Sequence, residues 1–225
     1  MRNVALSNEE IYHICNRGVD KRDIFSDVRD LNRFLDLMVL LNSTATLGCL
    51  RDFMREQNTS VSLASGTLTG GVINGGDPLV EFVSFCLLPN HYHFLLRQKA
   101  DNGIEKFMHK LSTSHTKYYN TKYDRSGSLF QGTYKSKHVD TNEYLIWLAA
   151  YVNLNDKVHS YDSKSNLISS SWGQIIGENK NPRVLVEPSI ILSQYRNSED
   201  FNKTAIETLA IIKQNKQEQR RSEFL

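Results

Sequence analysis

His91 and His93, with only Tyr92 between them, are the first residues in this chain equipped for chemistry. In an extended strand, residues two apart project from the same face. Both imidazoles then stand together while Tyr92 turns away. Such a pair suits a divalent ion, but two ligands are too few for a tight site, so a third donor must come from another segment. Two histidines hydrogen-bonded in a half-buried strand would give the same spacing. Tyr151 and Asn155 form the second pair. Four residues apart on a helix, they are neighbours, with Cβ atoms about 5–6 Å apart. A phenol attacks phosphorus competently, but it ionises only near about pH 10 and needs help. A metal that polarises the phosphate supplies that help, and the Asn155 carbonyl oxygen is a fitting ligand for magnesium or manganese. A tyrosine on an amphipathic helix also serves packing alone.

The stretch from Lys106 to Lys137 is the third feature. It carries Lys106, Lys110, Lys117, Lys122, Arg125, Lys135 and Lys137 against one acid, Asp124. Tyr118, Tyr119, Tyr123, Phe130 and Tyr134 are interleaved. Cations that neutralise phosphates, alternating with rings that stack on bases, are the equipment of a single-strand binder. A solvated helix face gives the same charge pattern. His109, His115, His138 and His159 read as surface or packing residues. His13 lies on the first strand, able to approach the site but without an assigned role.

These residues need elements to hold them. Ile11 to Cys15 reads as a strand ended by the turn-prone Asn16-Arg17-Gly18. Ser26 or Asp27 caps a helix to about Leu41, with Leu31, Phe34, Leu35, Met38 and Leu41 at helical spacing. Leu79 to Leu88 and His91 to Gln98 read as two strands meeting at Pro89-Asn90. Asn102 caps a helix from Gly103 to about Tyr119. A turn at residues 124–127 leads to a short strand at Tyr134 to Val139. Asp140 or Thr141 caps the next helix, which carries Tyr144, Leu145, Leu148 and Tyr151 on roughly one face. After Asn155 the chain reads as loop to about Asn181, then as a polar helix from Thr204 to about Arg220. The Gly- and Ser-rich stretch from Ser43 to Pro78, with a helical possibility at 50–57, reads as a flexible insertion.

The 225 residues, 40% hydrophobic and 23% charged, suffice for one domain with a real core. We expect that domain over residues 1–180 and a helical extension of open role over 181–225. A net charge of +2 says little about partners. Cys15, Cys49 and Cys86 are far apart, with no CxxC pair, which argues against a cysteine-based zinc site or a disulfide scaffold. The polar first ten residues lack the apolar core of a secretory signal. No apolar run approaches the roughly 20 residues of a membrane span. The expected location is cytoplasmic, with no membrane partner.

The ordered segments Tyr12-His13-Ile14-Cys15-Asn16-Arg17-Gly18, Leu88-Pro89-Asn90-His91-Tyr92-His93-Phe94, Gly127-Ser128-Leu129-Phe130-Gln131-Gly132-Thr133-Tyr134-Lys135 and Tyr151-Val152-Asn153-Leu154-Asn155 together resemble the single-tyrosine HUH transposases. Within that IS200-like group they are most similar to the REP-associated tyrosine transposases. The resemblance runs from about residue 11 to 156, the insertion apart. It implies an α+β fold, a ferredoxin-like antiparallel sheet with helices packed on one face. It implies Mg2+ or Mn2+ on His91, His93 and Asn155, and Tyr151 attacking the scissile phosphate of single-stranded hairpin DNA. The products would be a 5′-phosphotyrosine and a free 3′-hydroxyl, which can rejoin without ATP. Arg17, Lys135 and Lys137 are our own expected phosphate contacts, with Lys110, Lys117 and Arg125 added from the basic stretch. Asp156 departs from the family, which often has proline there. A non-catalytic single-strand nucleic-acid-binding protein, or a rolling-circle initiator or relaxase, are the alternatives. Monomer and homodimer both remain open.

Overall fold

The computed structural model describes residues 6–45, 76–161, 165–179 and 182–222. The insertion expected over 43–78, and the helix suggested at 50–57, fall almost wholly outside the described residues.

Alternation along β1 (Ile11–Arg17) sends Tyr12 and Ile14 into the core and His13 and Cys15 to the other side. The expected turn at Asn16-Arg17 comes later, because Asn16 and Arg17 still pair with Tyr92 and His91 on the neighbouring strand. The chain turns at Gly18, where a Cβ would sit 2.1 Å from the Arg22 carbonyl oxygen. Asp27 then caps α1 (Val28–Leu40), accepting from the backbone of Arg29 and Asp30, and Asp30 reaches back to complete a capping box. Just beyond α1, the Asn42 side chain both donates to the Val80 carbonyl and accepts from the Val80 N–H, at 2.8 and 2.9 Å. Those bonds tie the helix end to β2 (Val80–Leu88).

Pro89-Asn90 turns β2 into β3 (His91–Gln98), as expected. α2 runs from Gly103 to Lys122. Asn102 sits at its cap position in the left-handed region (φ 57°), but its side chain makes no capping bond. Gln98 Oε1 instead accepts from Ile104 N–H at 3.3 Å. The next strand, β4 (Lys135–His138), pairs with β1. Thr141 caps α3 (Asn142–Asn153) by accepting from Tyr144 N–H. Leu145, Leu148 and Val152 of α3 are buried, whereas Tyr144, Trp147 and Tyr151 line another side. The single face expected for Tyr144, Leu145, Leu148 and Tyr151 is therefore two. Leu154 (φ −105°, ψ 22°) leaves helical geometry, and Asn155 begins a separate short turn, α4 (Asn155–Val158).

The stretch expected to be loop contains β5 (Ser169–Ser170) and α5 (Trp172–Ile175). After α6 (Ser189–Leu192), the last helix, α7 (Ser198–Ser222), starts six residues before its expected position. Phe201 of α7 is fully buried against Trp172 and Tyr195. Burying a side chain of that size contributes about 1.5–3 kcal/mol, so the extension is anchored rather than merely solvated.

The five strands form one antiparallel sheet in the order β4-β1-β3-β2-β5. From β1 to β4 the elements run β-α-β-β-α-β, a split β-α-β pattern. α1 and α2 cover the face that carries Tyr92, where Phe34 meets Tyr92 and Phe107 meets Phe82. His91 and His93 project from the opposite face, where α3 brings Tyr151 against His93.

Candidate active site

Strand alternation puts His91 and His93 side by side on β3, their ring centroids 5.3 Å apart and their planes nearly perpendicular. The antiparallel register sets Cys15 opposite His93 and Arg17 opposite His91, so β1 contributes to the same face. His13 Nε2 lies 2.9 Å from His93 Nδ1, with the two rings parallel to within 10°. Burial lowers the pKa of all three histidines, His13 to about 4 with help from Lys137, and His93 well below its ordinary value. At neutral pH the three rings are uncharged, which is the form that binds metals.

The tautomer of His91 follows from its neighbours. Asn90 Nδ2 donates to the Lys21 carbonyl, which fixes the Asn90 amide and points its Oδ1 at His91 Nδ1, 2.6 Å away. Asn90 and Asn155 both offer His91 an acceptor and a neutral ring has one N–H; the shorter contact, to Asn90, draws it to Nδ1 and leaves the lone pair on Nε2. Asn155 is fully buried, and its Nδ2 faces the Tyr151 carbonyl at 3.4 Å. Its Oδ1 therefore faces His91 Nε2 at 3.2 Å, one lone pair towards another. A cation between them satisfies both atoms. The nitrogen and oxygen donors of His91, His93 and Asn155 fit magnesium or manganese.

Tyr151, on the last turns of α3, places its ring 5.4 Å from that of His93 and 6.3 Å from that of His13. Burial raises the pKa of its phenol, and the Asn155 side chain opposes that rise. The hydroxyl is thus protonated at neutral pH and requires activation. Sequence spacing anticipates the closeness of Tyr151 and Asn155. It does not anticipate the break at Leu154, which puts the two residues on separate helical pieces.

His13, Cys15 and His93 form a second set of possible donors, with ligand atoms all within 4.8 Å of one another. This cluster is capable of coordinating a divalent metal. Burial raises the Cys15 pKa against the pull of Lys135, which keeps the thiol protonated and disfavours ligation by a thiolate.

The expected nucleic-acid contacts divide into two groups. Lys135 and Lys137 stand opposite Cys15 and His13 in the β1–β4 register, exposed on the sheet edge beside the site. Arg17 is exposed at the end of β1, where its guanidinium hydrogen-bonds Gln131. Lys110, Lys117 and Arg125 are not brought to the histidines. They lie on α2 or just past its end, in the helical layer across the sheet, and Lys110 bonds the Ser43 carbonyl. The interleaved aromatics are not free to stack on bases. Tyr119, Phe130 and Tyr134 are buried, and Tyr118 and Tyr123 donate to the buried Asp30 carboxylate.

Three contributors escape a reading by spacing alone. His159, just beyond α4, packs its ring 5.0 Å from His91, a packing residue whose partner spacing alone does not name. Lys216, far along α7, lies 3.1 Å from His159 Nδ1. Trp147 stacks on Tyr151 with centroids 5.5 Å apart and planes within 6°. Only Trp147 leaves a trace in the sequence, as an aromatic four residues before Tyr151.

With this geometry in view, the comparisons with known proteins fall into place. Residues 77–155 match the family model described as "Transposase IS200 like". That stretch spans both histidines, Tyr151 and Asn155. The link to tyrosine transposases is distant. Among solved structures, a REP-associated tyrosine transposase bound to a REP hairpin superposes with a TM-score of 0.50 at 8% identity. The match covers 83% of this chain and 91% of that one. At that identity the likeness speaks for the fold. A search of curated proteins gives no match. No helix among the described residues is long and apolar enough to cross a membrane.

Proposed function

We propose that the chain is a single-strand DNA endonuclease and strand transferase that cuts and rejoins hairpin DNA through Tyr151. The observation that carries this reading is the meeting of three segments. Tyr151 of α3, Asn155 of α4 and the histidine pair of β3 converge on the same side of the antiparallel sheet. The match of residues 77–155 to IS200-like transposases supports it.

His91, His93 and Asn155 would hold Mg2+ or Mn2+, which when bound supplies Lewis-acid polarisation of the scissile phosphate. The protein's own groups do the rest. Asn90 and His13 orient the two imidazoles from behind. Trp147 holds the Tyr151 ring by stacking. Lys135, Lys137 and Arg17 present positive charge to the DNA backbone at the rim. In the reaction the Tyr151 oxygen loses its proton to solvent and bonds to phosphorus. The bond from phosphorus to the 3′-oxygen breaks, and that oxygen takes up a proton. The result is a 5′-phosphotyrosine and a 3′-hydroxyl, and attack by a 3′-hydroxyl reverses the step.

The test is incubation of the full chain with labelled hairpin oligonucleotides and Mn2+, followed by mass spectrometry of tyrosyl-DNA peptides. An adduct on Tyr151 that disappears in Tyr151→Phe, with DNA binding retained, is the expected result. An adduct that persists in Tyr151→Phe refutes the assignment of the nucleophile. Metal-independent binding of hairpins without any adduct refutes catalysis.

A further inference from the structure

The aromatics expected to meet bases are buried or tied to Asp30, yet another set is partly exposed, with Trp147 the most open of the three. Tyr144, Trp147 and Tyr151 follow one another at intervals of three and four residues along α3. Their rings stack in series, with centroids 6.3 and 5.5 Å apart and planes parallel to within 15° and 6°. Trp147 is 38% exposed and is the one aromatic among the exposed large apolar side chains of the described residues. Lys137 closes the outer end, its ammonium 4.4 Å from the centre of the Tyr144 ring. Lys135 stands two residues away on the same edge strand.

We propose that Tyr144, Trp147 and Tyr151 form a stacking strip for unpaired bases of the DNA strand that leads to the cleavage point, with Lys137 and Lys135 taking its phosphates. This inference rests on the single-strand DNA reading above and assigns the strand its path. Leu145, Leu148 and Val152 already seat α3, and Trp147 keeps more than a third of its surface in water beyond its contacts with Tyr144 and Tyr151. The strip ends at the proposed nucleophile, so a strand lying on it arrives at Tyr151. From Tyr144 to Tyr151 the helix rises about 10 Å, room for about three bases at roughly 3.4 Å each. Rings stack on any base, so the strip binds single strands without reading their sequence. The adjacent lysines match the charge of a nucleic acid backbone.

The chain has two tryptophans, Trp147 and Trp172, and Trp172 packs against Phe201. Indole fluorescence therefore reports the strip directly. We would titrate the full chain in EDTA with an unpaired oligothymidylate and with an abasic oligonucleotide of the same length. Binding would be followed by intrinsic fluorescence and, separately, by anisotropy of a labelled strand. The expected result is quenching by oligothymidylate and little by the abasic strand. Trp147→Phe should lose the quenching but keep most of the binding, and Trp147→Ala should bind about tenfold more weakly. Circular dichroism melts of both variants verify folding.

Unchanged quenching in Trp147→Phe, or unchanged binding in Trp147→Ala, overturns the strip while leaving cleavage by Tyr151 intact. Failure of the wild-type chain to bind any single strand overturns the strip and the function together. Protein concentration-dependent dimerisation abolished by Trp147→Ala, with DNA binding unchanged, assigns the strip to a second copy of the chain and also overturns the proposal.

Discussion

Replacing His13 tests whether the back of the site matters as much as its front. His13 Nε2 lies 2.9 Å from His93 Nδ1 and is uncharged at neutral pH, so if the proposed ion sits on His93 Nε2 the proton is on Nδ1 and His13 Nε2 accepts it. That bond fixes the tautomer that leaves Nε2 of His93 as the ligand atom. Outer partners of metal-binding histidines typically carry about 10- to 100-fold in metal affinity, equivalent to about 1.4–2.7 kcal/mol. His13→Phe keeps a ring in the stack but removes the acceptor, so Mn2+ affinity should fall by that factor. His13→Gln retains an acceptor and should recover part of it. Electron paramagnetic resonance of free Mn2+ during a titration measures the constant without relying on cleavage. Cys15→Ser serves as the control and should leave the constant within about twofold, because a hard ion prefers oxygen and nitrogen donors. An unchanged constant in His13→Phe would refute the orienting role. A loss in Cys15→Ser equal to that in His13→Phe would move the ion to the His13, Cys15 and His93 cluster.

Other perturbations test the scaffold. Asp30 is fully buried and accepts from Lys122, Tyr118, Tyr123 and the backbone of Ser26. Asp30→Ala strands these donors and should cost about 3–5 kcal/mol, measured by urea denaturation. Burial opposes ionisation of Asp30, yet Lys122 and the other donors hold its carboxyl below the usual range. Its contribution is therefore complete above the ordinary carboxylate pKa and is lost as pH falls through the folded value. Between about pH 5 and pH 2 the wild type should lose more stability than Asp30→Asn, as followed by denaturation at each pH. A Cβ on Gly103 would lie 2.1 Å from the Leu79 carbonyl oxygen, so Gly103→Ala should lower the melting temperature by several degrees, seen by calorimetry. Thr141→Ala removes the cap of α3 and should cost about 1 kcal/mol in the same measurement.

Part of this arrangement was legible in the residues themselves. Alternation about Tyr92 places both histidines on one face, and spacing places Tyr151 near Asn155. What escaped was information that periodicity does not carry. The rings from Tyr118 to Tyr134 look available for bases, but α2 turns Tyr119 to the core and Asp30 draws in Tyr118 and Tyr123. Polar core contacts are equally silent in a hydropathy pattern. Ser171 is fully buried, donating to Asn153 Oδ1 and accepting from Phe85 N–H, and so joins α3 to β2. The contribution of Lys216 depends on α7 packing back over α3, which no local signal announces.

β1 sets two surfaces back to back. Tyr12 and Ile14 belong to the interior, whereas His13, Cys15 and Arg17 face the other way. Amide exchange along this strand therefore reports the integrity of both at once, since it cannot fray on one side and stay whole on the other. The tyrosine rides on a helix that breaks at Leu154, outside that strand pair. Thermal loosening of this molecule should release Tyr151 and Asn155 first and separate the paired histidines only when the whole sheet comes apart.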